Sequence, residues 1–192
     1  MLRVRPVHYT SRIDEFAAEL ETQGLRCVEN HGSWRVYDSD SGKVGVHTAE
    51  AGSAEDGTTE LGFEVRDCEI FVRRTLEDGT QAELVESSLI KSAHGITARI
   101  TAPDGFTFLA DPSTDLRLPG ADPLLDHPRL AVTVTWRSPD VAAANKVLTD
   151  IGARLVAERP GGGALFRAKN GGFVATAAGA ASGVELEITT GD

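Results

Sequence analysis

The chain has 192 residues and a formal net charge of −10, spread along it without a Lys/Arg block. That length suits one sizeable domain, or one domain with a half-size annex, and the acidic balance gives no electrostatic footprint for nucleic acid or for an anionic membrane surface. No apolar run reaches the roughly 20 residues of a membrane helix, and the opening MLRVRPVHYTSR has no apolar signal core, so the reading is a soluble, cytoplasmic protein. Cys27 and Cys68 lie far apart with no C-x-x-C spacing, which fits free thiols in a reducing compartment.

One unit recurs along the chain: a short alternating strand, an amphipathic helix closed by Gly, then two or three further strands. The first copy, 1–52, opens with LRVRPVHYT. Its helix is predicted to begin at Ser11, with Asp14 in a capping-box position and Ile13, Phe16, Ala17 and Leu20 on one face. Gly24 ends it, and LRCVEN, WRVYDS and KVGVHTA follow, separated by the turn-forming His31-Gly32-Ser33 and Asp40-Ser41-Gly42. The second copy, 57–112, runs TTELGFEVRD, a helix from Cys68 to Asp78 that is the weakest periodic match, then QAELVESS, GITARITA and FTFLADP, with Pro103-Asp104-Gly105 reversing the chain before the last strand. Residues 113–128 carry Pro119, Pro123 and Pro128 and read as a crossover linker.

The third copy, 129–192, has LAVTVTWRSPDVAAANKVLTDIGARLV, with Ser138 as N-cap, Pro139 at the first helical position, and Val141, Ala144, Leu148 and Ile151 at helical spacing before Gly152. After GALFRAKNGGFVATAAG the chain adds GVELEITTGD, which has the pattern of a fourth opening strand. Each helix covers one face of its sheet and leaves the other needing cover. Copies one and two are therefore expected to close on each other, with copy three finding its mate in a second chain to give a homodimer. The competing arrangement is an annex packed on the first pair.

In order and spacing, this α+β chain of tandem βαβββ units resembles the vicinal oxygen chelate superfamily, which includes glyoxalase I, extradiol dioxygenases, fosfomycin-resistance enzymes and bleomycin-binding proteins. APDGFTFLADP is similar to the family's D-P-D-G-N-x-x-E-L-x-x-P segment, and TELGFEVRD to its H-x-x-F-x-V-x-D strand entering a helix. The resemblance implies that two units curl into a cup-shaped sheet, where the metalloenzymes hold a divalent ion through His, Gln or Glu of the opening strands and Glu of the strand after the P-D-G turn. Carried onto this chain, those positions are Arg5, Glu60, Leu109 and, in the first unit, Val46. Of these only Glu60 can ligate a metal, since arginine offers donors alone.

Strand alternation supports the same register. It puts Leu61, Phe63 and Val65 toward the helix and Glu60, Gly62 and Glu64 in the cup, with Arg3, Arg5, Val7 and Tyr9 beside them and Thr107 and Leu109 opposite. Arg5 and Glu60 are expected to form an ion pair where a metal would sit, or else to be solvated on an open sheet face. A one-residue register slip would bring His47 into the cup beside Glu60.

The remaining candidates carry less chemistry. His8 is placed on the helix side and His31 in a turn, while His94 and His127 fall in loop-like contexts. Cys68 opens a helix between Asp67 and Glu69, which oppose a reactive thiolate. Pro160-Gly161-Gly162-Gly163 precedes a strand, unlike a phosphate cradle. Trp34 and Tyr37 lie on a strand leading to the cup rim and either stack on a flat ligand or serve sheet packing.

The leading expectation is a small-molecule binding protein of the bleomycin-resistance type, for sequestration or sensing, with no catalytic residue, no metal and no cofactor, and with Arg5, Glu60, Trp34, Tyr37, Leu109 and Val46 lining its site. The alternative is a metal-dependent lyase, isomerase or dioxygenase holding one divalent ion through His47, Glu60 and a partner-chain residue. A third possibility is a structural or interaction protein whose cup is closed by its own side chains.

Overall fold

A computed structural model describes residues 1–86, 95–113 and 130–190. The proposed linker lies almost entirely outside those residues, as do His94 and His127.

Pro6 decides how the chain begins. With no N–H to give to a ladder, it splits the opening segment into β1 (Leu2–Val4) and β2 (Val7–Thr10), which serve different sheets. The first unit continues through α1 (Ile13–Thr22), β3 (Arg26–Asn30), β4 (Trp34–Asp38), β5 (Asp40–Ser41) and β6 (Lys43–Thr48). The second opening segment is broken in the same way, at Leu61, into β7 (Thr59–Glu60) and β8 (Gly62–Val65). It leads through α2 (Cys68–Glu77) to β9 (Gln81–Glu86), β10 (Ile96–Thr101) and β11 (Thr107–Pro112). The third unit comprises β12 (Leu130–Ser138), α3 (Val141–Asp150), β13 (Arg154–Glu158), β14 (Ala164–Arg167) and β15 (Phe173–Ala178), and β16 (Gly183–Thr190) follows.

The three sheets run β3-β4-β6-β2-β7, β1-β8-β11-β10-β9 and β13-β14-β15-β12-β16. Within each unit the opening strand lies parallel to the last one, as in β2 with β6, β8 with β11 and β12 with β15. The first two sheets meet along one antiparallel seam. Val7 faces Glu60, Arg3 faces Glu64, and between them the Arg5 N–H donates to the Gly62 carbonyl at 2.8 Å. A side chain at Gly62 would put its Cβ 2.6 Å from the Arg5 carbonyl oxygen, so glycine is what lets the strands close there. β16 takes the equivalent antiparallel place beside β12, with Val134 opposite Leu186, which bears out the pattern of a fourth opening strand.

The helices form where their apolar spacing allows, but their caps differ from the sequence reading. Ser11 does not cap α1; its N–H and hydroxyl both donate to the Asp56 carboxylate, at 2.7 and 2.8 Å. In α3 the cap is Asp140, which accepts from the Ala143 N–H at 2.9 Å, while Ser138 supports Asp140 one step earlier. Asp67 caps α2 through the Ile70 N–H.

The helix-facing rows of all three units share one core, from Val4, Leu20 and Phe63 to Trp136 and Leu148. Phe106 and Phe108 of the second unit pack on Trp136 of the third, with ring centroids 5.0 and 5.9 Å apart. The Asp104 turn grips the third unit by accepting from Ser182 Oγ at 2.6 Å and Ser138 Oγ at 3.4 Å. Partial burial works against ionisation of Asp104, but the hydrogen bonds from Ser182, the Phe106 N–H and Ser138 outweigh it and hold its pKa below the usual carboxylate value. The Asn170-Gly171 turn closes the outer edge of β1, with the Val4 N–H donating to the Gly171 carbonyl. Among the described residues no helix is long and apolar enough to cross a membrane.

Candidate functional site

The cup enclosed by the first two sheets has an ionic floor. Glu64 on β8 accepts from Arg3 Nη1 at 3.3 Å and Lys43 Nζ at 3.4 Å, and Arg5 Nε lies 3.8 Å from it. Asp111 on β11 pairs with Arg5 and accepts from Thr97 Oγ1 at 2.6 Å. These five charged residues are at most 9 % exposed. Burial on that scale is tolerable only because each charge meets an opposite one.

Above the floor the lining turns aromatic. Gly45 on β6 leaves room for the Trp34 indole, whose edge would touch a Cβ there at 2.6 Å. The Arg5 guanidinium sits 5.3 Å from the indole centroid, within cation–π range. Tyr9 and His47 face each other across β2 and β6 at 5.7 Å, and His47 also meets Trp34 at 6.2 Å. Burial, then the neighbouring Glu60 carboxylate, push the Tyr9 pKa up, so its hydroxyl stays protonated and donates to Glu60 Oε2 at 3.0 Å. His47 Nδ1 donates to the Thr48 carbonyl at 2.8 Å, which leaves Nε2 as the free ring acceptor.

This geometry corrects several expectations. Arg5 and Glu60 do not pair: Arg5 reaches Asp111, two residues beyond Leu109, and Glu60 is held by Tyr9. Val46 is fully buried in the core beneath α1, opposite His8 on β2, and its neighbour His47 takes the cup side without any register slip, because β6 pairs Tyr9 with His47 and Val7 with Gly45. Tyr37 likewise turns into the main core, since it alternates with Trp34 and Val36 on β4. Trp34 and Leu109 do face the cup, with Leu109 beside Gly62. Lys43 and Asp111 were missed. Extending the alternation of β11 one step past Leu109 would have found Asp111. Lys43 carried no signal, because it follows a turn whose exit register the sequence does not fix.

Cys68 is buried and its thiol is pushed up to about 11 by desolvation, in keeping with a packing role. Cys27 is exposed.

No protein-family model and no curated protein sequence matches the chain. Solved structures do. Homoprotocatechuate 2,3-dioxygenase from Brevibacterium fuscum, solved as a complex with 3,4-dihydroxyphenylacetate, superposes with a TM-score of 0.56 at 17% identity, over 92% of this chain and 59% of that one. An extradiol ring-cleaving dioxygenase from B. fuscum gives 0.58 at 18%, over 92% and 52%. BphC, a halotolerant catechol dioxygenase, gives 0.57 at 12%, over 99% and 69%. The chain thus spans little more than half the length of the Brevibacterium enzyme, and its fold is that of the vicinal oxygen chelate dioxygenases.

The comparison overturns the expectation of a cofactor-free chain, which rested on Arg5, Val46 and Leu109 standing where the resemblance places metal ligands. The structures it matches are ring-cleaving dioxygenases, which the resemblance places among the metalloenzymes of the superfamily. The ionic floor of the cup nevertheless does not fit a divalent ion. Glu64 and Asp111 are engaged by Arg3, Arg5 and Lys43, whose charges oppose a cation, and no three His, Cys, Asp or Glu side chains converge among the described residues. No step through a metal is derived from them.

Proposed function

We propose that the chain takes a flat, acidic small molecule into the cup between its first two units, its ring against Trp34 and its anionic group toward Arg5. The observation that carries this reading is Arg5 Nε. It is buried and makes no hydrogen bond among the described residues, the Glu64 carboxylate standing 3.8 Å away, although the other end of the same guanidinium is fixed by Asp111. A buried donor left unpaired is costly, and a carboxylate or phenolate oxygen would satisfy it through a charge-assisted bond. His47 Nε2 offers an acceptor for a ligand hydroxyl. A floor of similar volume built from aliphatic side chains would be no less stable, so the ionic cluster is better explained by what it holds than by the fold it supports.

Calorimetric titration of 3,4-dihydroxyphenylacetate tests the reading. Saturable binding is expected in the unaltered chain, weakened roughly tenfold or more in Trp34→Ala by loss of stacking. Equal affinity in the two proteins would remove Trp34 and the cup from the account.

A second reading, oxidative ring cleavage of a catechol, draws on the dioxygenase neighbours. It calls on His47 and Glu60, the two described side chains of the upper cup able to ligate. Oxygen uptake with the same compound after loading with ferrous ion separates it from binding alone: turnover lost in His47→Ala supports catalysis, and stable binding without uptake supports the first reading. We extend the proposal to assembly, with the open face of the third sheet meeting a second copy of the chain; sedimentation of the purified protein as a dimer supports that, and a monomer at all concentrations removes it.

A further inference from the structure

β16 has the position of an opening strand and presents Val184, Leu186 and Ile188 on the helix side of its sheet. In each complete unit the helix lies over its own sheet, α1 against β6, α2 against β9 and β10, and α3 against β12 and β15. Over the row of β16 the facing wall is instead α1 of the first unit, and between them lies a cleft of about 650 Å³. That volume is in the range of small-molecule sites. Phe16 and Leu20 form one side, the β16 row the other, and His8 stands at the base.

His8 is the polar group of this cleft. Its ring stacks on Phe16, with centroids 4.1 Å apart, and its Nδ1 shares a hydrogen bond with Thr59 Oγ1 at 3.0 Å. Nε2 has no partner among the described residues. Burial lowers the His8 pKa, outweighing the opposing pull of Asp56 and Glu19, so the ring is uncharged at neutral pH. Glu185, the charged side chain bordering the cleft, is held by Arg137 on the other face of the sheet, with Nε to Oε1 at 2.7 Å. An anionic guest would find no counter-charge here, and a hydrocarbon would leave Nε2 unpaired.

We infer that this cleft is a second ligand site, separate from the cup, for an uncharged ring-bearing alcohol or phenol whose hydroxyl bonds His8 Nε2 and whose ring lies between Phe16 and the β16 row. It contains no residue of the cup and does not depend on what the cup binds.

Thymol, with para-cymene as the same skeleton lacking the hydroxyl, is a suitable probe for the full-length chain near neutral pH. One saturable thymol site is expected. Its affinity should fall roughly tenfold in His8→Phe, which keeps a ring against Phe16 but loses both ring nitrogens. Leu186→Trp, which fills the cleft, should abolish binding, and Trp34→Ala, which alters the cup, should leave it unchanged. Para-cymene should bind the unaltered chain about tenfold more weakly than thymol, and His8→Phe no differently. Should His8→Phe fail to fold, proton resonances of the His8 ring in the unaltered chain report instead, and they are expected to move with thymol while those of His47 stay. Absent binding, binding that survives Leu186→Trp, insensitivity to His8→Phe, a shift at His47 rather than His8, or loss in Trp34→Ala overturns the assignment.

Discussion

Two seams of this molecule are built alike and enclose different things. Along the first, β1 and β2 run antiparallel to β8 and β7, both strands open complete units, and the cup face buries Arg3, Arg5, Lys43, Glu64 and Asp111. Along the second, β16 pairs with β12 in the same antiparallel sense, but the equivalent face carries Arg137, Glu185 and Glu187 in the open. There Arg137 grips Glu185 without being withdrawn from water. The strand geometry is therefore not what makes the site. The site comes from a second sheet curling over the same face, because that converts ordinary surface charges into a desolvated cluster that must be satisfied internally or by a guest.

Substitutions can break or sharpen this contrast. The largest effect is expected at Glu64→Ala, which removes a buried carboxylate that faces Arg3, Arg5 and Lys43. A loss on the order of 3–5 kcal/mol in denaturant unfolding is expected for a dry floor, and a loss no larger than that of a surface pair would show it to be wet. Next is Gly62→Ala, where the added Cβ meets the Arg5 carbonyl at 2.6 Å. Separating the seam strands should cost about 1–3 kcal/mol, with the damage concentrated at Arg5 in amide exchange.

A smaller, pH-dependent effect is expected at Asp104, whose carboxylate joins the second unit to the third. Because its folded pKa is lowered, its stabilisation is fully present above the ordinary aspartate pKa and is lost as pH falls through the lowered value. The unaltered chain should therefore lose more stability on acidification through that window than Asp104→Asn, which no longer titrates there. The least effect is expected at Glu185→Gln: an exposed pair is screened by water, so the unfolding midpoint should not move measurably.

Much of the architecture was legible because the repeat is periodic. Helix-facing rows such as Leu61-Phe63-Val65 and the cup side of β1 and β2 follow from strand alternation alone, and the pattern of a fourth opening strand in GVELEITT became β16. Alternation failed where it was not anchored. Val46 and His47 differ by one residue and swap faces, and only the pairing with β2 fixes which is which. Tyr37 was assigned by its nearness in sequence to Trp34, although an odd offset along a strand sends a side chain to the opposite face. The partner of Arg5 was not readable at all. It depends on how far β11 reaches along β8, a parallel pairing between strands some fifty residues apart that no local pattern encodes. Resemblance supplied the cup, but Arg5, expected to pair with Glu60, meets Asp111 and Glu64 instead.

The two tryptophans allow the most direct test. Trp34 lies half-buried in the cup, whereas Trp136 is enclosed beneath Phe106 and Phe108. Titrating 3,4-dihydroxyphenylacetate while following tryptophan emission should give a saturable change in the unaltered chain and none in Trp34→Phe, where Trp136 alone reports. A saturable response of the same size in Trp34→Phe would contradict the assignment of the cup as the ligand site.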